Sequence, residues 1–95
     1  MTESNPKFIF FVKEGCRPCI YAKANLERCE DWDKVVEIQN VEVNGEWSQY
    51  AYDLGVHHTP TVVALQEGKV VAMVTGADNF TRHFWQSTID KWKPS

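Results

Sequence analysis

Apolar and polar positions along the chain fall into stretches of strand and helix period. Lys7 to Lys13 carries Phe8, Ile9, Phe10, Phe11 and Val12 in one unbroken run, as in a strand buried on both faces. Glu14-Gly15 ends it. Cys19, Ala22, Leu26 and Cys29 then recur at steps of three, four and three, which predicts a helix from Arg17 to Glu30 with one buried stripe. Pro18 suits the first turn of that helix, since it has no N–H to leave unpaired. Glu30-Asp31-Trp32-Asp33 is a connection. Val35 to Val43 reads as a second strand, imperfectly alternating and so nearer the sheet edge. Asn44-Gly45 marks a turn, and Glu46 to Leu54 a helix stopped by Gly55.

Val56-His57-His58-Thr59-Pro60 is a loop leading into a short apolar strand, Thr61 to Leu65. Glu67-Gly68-Lys69 turns the chain into a returning strand, Val70 to Thr75. After the break at Gly76-Ala77, Asp78 is placed to cap a last helix from Asn79 to Trp92. Its apolar positions Phe80, Phe84, Trp85, Ile89 and Trp92 keep helical spacing. The order β-α-β-α-β-β-α makes this an α/β chain. The first βαβ unit is expected as a right-handed crossover with parallel strands, and the last two strands as an antiparallel hairpin.

The 95 residues allow a single domain, 1–95, with its core over about residues 7–92. A chain this short needs most of its aromatics inside, including four Trp and five Phe. Net charge is -3 with both signs interleaved, and no Lys/Arg cluster offers a nucleic-acid surface. The run Phe8 to Val12 is too short to cross a bilayer. The leader Met1-Thr2-Glu3-Ser4-Asn5-Pro6-Lys7 lacks the basic-then-apolar build of a signal peptide. A cytoplasmic monomer is therefore expected, with no nucleic-acid or membrane partner.

Three cysteines do not make a disulfide framework, which needs an even number and an oxidising compartment. Cys16-Arg17-Pro18-Cys19 at a helix start instead meets the needs of thiol–disulfide exchange, which requires an attacking thiolate and a second thiol nearby. Free N–H groups and the positive dipole end favour negative charge on Cys16, and Arg17 adds a neighbouring cation. Cys19, three residues on, faces inward. Cys16 attacks and Cys19 resolves the mixed disulfide.

At these residues the chain resembles the thioredoxin superfamily, over Lys7 to Trp92. Phe10-Phe11-Val12 before Cys16-Arg17-Pro18-Cys19 resembles the family's first core strand and active site. Thr59-Pro60-Thr61 resembles its cis-proline segment. Gly55-Val56, Gly68-Lys69 and Gly76-Ala77 match thioredoxins in order and spacing more closely than glutaredoxins. The resemblance implies a thioredoxin fold with a central four-stranded mixed sheet flanked by helices. It also implies a dithiol–disulfide oxidoreductase that reduces protein disulfides, ribonucleotide reductase being one possible substrate. Electrons would come from NADPH through a thioredoxin-type reductase, or from glutathione, with no cofactor bound. Arg17, Pro18, His58, Thr59, Pro60 and Asp78 would border the substrate. Pro60, in a cis bond, would hold the Thr59 backbone beside Cys16. Three features depart from the family: the N-terminal strand and helix of full-length thioredoxins are absent, Gly15 replaces the usual tryptophan, and Phe10 stands where thioredoxins carry a buried acid.

Other readings stay open. His57 and His58 offer a zinc set with Cys16 and Cys19, although adjacent side chains diverge, and the same cysteines alone suit a metal or iron–sulfur binding module. Cys29 is a regulatory thiol or a core cysteine. It lies a helical rise of roughly 15 Å beyond Cys19, too far for a disulfide while the helix is intact. Gly76-Ala77-Asp78 resembles the glycine–aspartate segment with which glutaredoxins hold glutathione, or is a simple helix cap. Trp47 and Tyr50, read on the middle helix, line a groove or fill the core.

Overall fold

A computed structural model of the chain describes residues 5–94; most of the polar leader, residues 1–4, and Ser95 lie outside the described residues. Strand β1 (Lys7–Val12) leads through a short loop into helix α1 (Arg17–Glu27). Strand β2 (Val36–Asn40), the small strands β3 (Glu42–Val43) and β4 (Glu46–Trp47), and helix α2 (Gln49–Asp53) follow. Strands β5 (Thr61–Gln66) and β6 (Lys69–Thr75) then precede helix α3 (Arg82–Trp92). The main sheet has the order β2-β1-β5-β6, with β1 and β2 parallel and the other two pairings antiparallel. This is the expected four-stranded mixed sheet with helices on both faces.

The central strand explains the two layers. Ile9, Phe10 and Phe11 are all fully buried, and successive side chains leave on opposite faces. Phe10 joins Ala22 and Leu26 of α1, Val62 of β5 and Trp85 and Ile89 of α3 in one core. Ile9 and Phe11 join Val41, Ala51, Val56 and Val63 in the other. Trp85 spans the first core: its ring lies 5.0 Å from Phe10 and 5.2 Å from Phe80, and its Nε1 donates to the Ala22 carbonyl at 3.0 Å. Cys19, Ala22, Leu26 and Cys29 are all buried, as their spacing predicts. The aromatic inventory is less buried than expected. Only Phe10, Phe11, Phe80 and Trp85 of the nine Trp and Phe are fully inside. Phe8, Trp32, Trp47, Phe84 and Trp92 are half-buried along the core's rim.

Several boundaries differ from the sequence reading. Helix α1 stops at Glu27, three residues early, because the Cys29 N–H turns back to the Leu26 carbonyl and Asp31 adopts a left-handed φ of 66°. The second strand ends at Asn40, because the Val41 side chain turns into the core under α2. Asn44 (φ 54°) and Gly45 (φ 80°) then both take left-handed conformations, which closes a tight hairpin between β3 and β4. Glu46 and Trp47 therefore belong to a strand, and α2 begins only after Ser48, whose Oγ accepts from the Ala51 N–H at 3.2 Å. Trp47 donates from Nε1 to the Val56 carbonyl at 3.0 Å.

The cap of α3 is also corrected. Asp78 lies in a separate 3-10 turn, Ala77–Asn79, and Thr81 caps the helix by accepting from the Phe84 N–H at 3.1 Å. Burying Phe80 between the two elements delays the helix. Loss of an N-cap costs about 1 kcal/mol. Thr81→Ala is therefore expected to lower unfolding stability by about that amount in urea titration, and Asp78→Ala by less than half as much. Equal losses would contradict the corrected cap.

Candidate active site

The site forms where the C-terminal end of β1 meets the N-terminus of α1. Gly15 takes a φ of 78° with nothing near the position of a Cβ, so glycine serves here for backbone conformation. The Cys16 N–H closes the loop onto the Lys13 carbonyl at 3.2 Å. Cys16 is the N-cap of α1 in extended conformation, Pro18 sits in the first turn, and the Cys19 N–H donates to Cys16 Sγ at 3.3 Å. Cys16 and Cys19 are joined as a disulfide with Cα atoms 5.2 Å apart. Cys16 is half-buried and Cys19 buried.

The loop before β5 faces this pair. Thr59–Pro60 is a cis peptide. Thr59 Oγ1 lies 3.5 Å from Cys16 Sγ, and the Thr59 carbonyl oxygen 3.9 Å from it. A threonine cluster anchors the loop to β6: Thr61 Oγ1 is 2.8 Å from both the His58 carbonyl and Thr75 Oγ1. Thr75 Oγ1 and the Gly76 N–H donate to the Pro60 carbonyl at 3.3 Å and 3.2 Å. Sequence reasoning missed Thr75. Its signal was the hairpin itself, which puts Thr75 opposite Thr61.

The remaining residues singled out in the sequence are spread around this centre. Arg17 and Pro18 are exposed on the first turn beside Cys16. His58 is exposed in the loop before Thr59, and His57 packs edge-on against Tyr52 at 5.2 Å. Asp78 is exposed in the turn after β6. Tyr50 is on α2 and about half exposed, 6.4 Å from the Phe11 ring. Among the described residues no three His, Cys, Asp or Glu side chains converge as a metal set. Phe10 puts an apolar ring, not a carboxylate, in the core that Ala22 and Leu26 of α1 pack into.

Cys29 is different in every respect. It is buried beyond the end of α1, 3.5 Å from the Asn25 carbonyl and 3.9 Å from the Arg82 carbonyl. Burial pushes its thiol pKa up; Arg82 draws it down less strongly, and Asp90 adds to the rise.

No protein-family model and no curated protein matches the chain. Solved structures do. Fasciola hepatica thioredoxin superposes with a TM-score of 0.67 at 24% identity, covering 96% of this chain and 84% of that one. Malassezia sympodialis thioredoxin gives 0.66 at 26%, covering 95% and 76%. A mutant thioredoxin from Halobacterium salinarum gives 0.68 at 20%, covering 97% and 78%. The chain is thus a thioredoxin-fold protein with a Cys-x-x-Cys redox centre.

A raised thiol pKa keeps Cys29 protonated and slow to react. In the reduced protein, limiting iodoacetamide is expected to label Cys16 first and Cys29 last, as read by mass mapping. Prior labelling of Cys19 would contradict the site. In the oxidised protein Cys29 is the free thiol, and its raised folded pKa stabilises the fold below the unfolded value. That contribution is lost as pH climbs from about 8.5 through the folded pKa. Stability should therefore fall more steeply in this range for the wild type than for Cys29→Ala.

Proposed function

We propose that the chain is a thioredoxin-type dithiol reductant of protein disulfides, acting as a monomer in the cytosol. The observation that carries the reading is the half-buried Cys16 sulfur at a helix N-terminus, with Thr59 beside it and Cys19 shielded behind. In the reduced protein the Cys16 thiolate attacks one sulfur of a substrate disulfide and expels the other as a thiolate. Cys19, once deprotonated, attacks Cys16 Sγ, closes the Cys16–Cys19 bond and releases the second substrate thiolate. Two electrons pass to the substrate, whose thiolates take up protons. Thr59's backbone beside Cys16 is suited to pair with an extended substrate segment. Arg17, Pro18 and His58 would border it. The disulfide of ribonucleotide reductase is one candidate substrate. A buried, unpaired Cys29 suits a reducing compartment.

Cys16→Ser is expected to abolish disulfide reduction, whereas Cys19→Ser accumulates mixed disulfides with substrate proteins on non-reducing gels. Normal turnover by Cys19→Ser would refute the dithiol mechanism.

A flavoprotein reductase of the thioredoxin type, drawing on NADPH, is the proposed electron source. The full-length β5–β6 hairpin and Pro18 support this over glutathione. Asp78, exposed after β6, is the residue that would anchor glutathione's amino group. NADPH consumption is expected to be faster with the reductase than with glutathione and its reductase. Faster turnover with glutathione, lost in Asp78→Ala, would reverse the assignment.

A further inference from the structure

Cys19 must lose a proton before it can attack, yet the core beneath it is apolar. Phe10, fully buried against Phe80 and Trp85, offers no acceptor. One face of Cys19 is not sealed. A cavity of about 290 Å³ reaches it, lined also by Val12, Lys13, Glu14, Ile20, Lys23 and Asn40. The charged residues lining this cavity with Cys19 come from two places: Lys13 and Glu14 on the loop after β1, and Lys23 one turn on along α1. From β2 comes the neutral Asn40. Lys13 is 4.0 Å from Glu42 of β3, which offsets its charge, while no ion pair is seen at Lys23 or Glu14 among the described residues. On the opposite side Thr59 faces Cys16 with a neutral hydroxyl, and the nearby His57 and His58 are exposed.

We propose that the Cys19 proton leaves through this cavity to water, and that Lys23 and Glu14 on its wall set, with opposite signs, how readily Cys19 ionises. Lys23 stabilises the resolving thiolate and Glu14 opposes it. Both are positioning residues that act through Cys19. This rests on the dithiol reading above, since it concerns the second of its two steps.

That step can be watched alone. Reduced protein mixed with a chromophoric bis-aryl disulfide (dithiobisnitrobenzoate) releases one aryl thiolate when Cys16 attacks. It releases a second when Cys19, its proton gone to water, closes the Cys16–Cys19 bond. In stopped flow at saturating disulfide the resolution step is the phase whose rate no longer depends on disulfide concentration, and Cys19→Ser removes it. Release of only one aryl thiolate per wild-type protein would refute the dithiol reading itself. Given the phase, Lys23→Gln is expected to slow it about threefold at neutral pH and raise the midpoint of its pH profile by roughly half a unit, as Coulomb interactions through a solvated cavity allow. Glu14→Gln is expected to lower the midpoint, Lys23→Arg to leave it in place, and added salt to shrink both shifts. Midpoints that stay at the wild-type value in Lys23→Gln and Glu14→Gln, or that move in the same direction, would overturn the proposal.

Discussion

The register between β1 and β5 is the constraint on which the site depends. Phe11 of β1 stands opposite Thr61 of β5. The chain beyond β1 reaches Cys16, and the chain before β5 supplies Thr59 and Pro60, so the pairing brings the two segments face to face. The register is set by burial. β1 is apolar on both faces, and β5 buries Thr61 through Leu65. A slip of one residue would exchange every side chain between the two cores, and it would carry Thr59 away from Cys16. The placement of one hydroxyl 3.5 Å from a sulfur thus rests on packing several residues distant.

That packing also shapes the chemistry. Phe10 contributes to the cluster with Phe80 and Trp85, which ties β1 to α3, while the Trp85 indole ties α3 to α1. An ionisable group at Phe10 would need a partner inside this cluster, since an unpaired buried charge is strongly disfavoured. An aromatic ring stabilises the layer and leaves proton movement at Cys19 to the cavity on its other side.

Much of this was legible in the chain. The unbroken run at Phe8 to Val12, the helical stripe from Cys19 to Leu26 and the glycine turn at Glu67-Gly68 each follow from period and turn chemistry, and each is present; Cys29 is buried as expected but lies past the helix end. Three of the misreadings share a cause. Val41, Trp47 and Phe80 are apolar residues at element ends, and each is drawn inward by tertiary packing that a local pattern does not contain. Val41 ends β2, Trp47 belongs to a hairpin strand, and Phe80 displaces the start of α3 from Asp78 to Thr81. At the site, Cys16, Cys19 and Thr59 stand together as their motifs imply. Thr75 was hidden because only strand pairing brings it to Thr61, and the cavity at Cys19, walled mostly by the loop after β1 and the start of α1, is completed by Asn40 of β2.

One helix accounts for the contrast between the chain's thiols. Cys16 stands at the N-terminus of α1, where its sulfur accepts from the Cys19 N–H. Cys29 follows the C-terminus, where its sulfur lies against the carbonyls of Asn25 and Arg82. Unpaired N–H groups and the positive dipole end favour a thiolate; unpaired carbonyls and the negative end favour a protonated thiol that donates. Burial of Cys29 acts in the same direction as its end of the helix. Cys16 gains further from partial exposure, which lets a substrate sulfur approach along the open side. The polarity of α1 therefore separates the two sulfurs by chemistry as well as by distance, and an active thiol and an inert one coexist in a chain too small to hold them far apart.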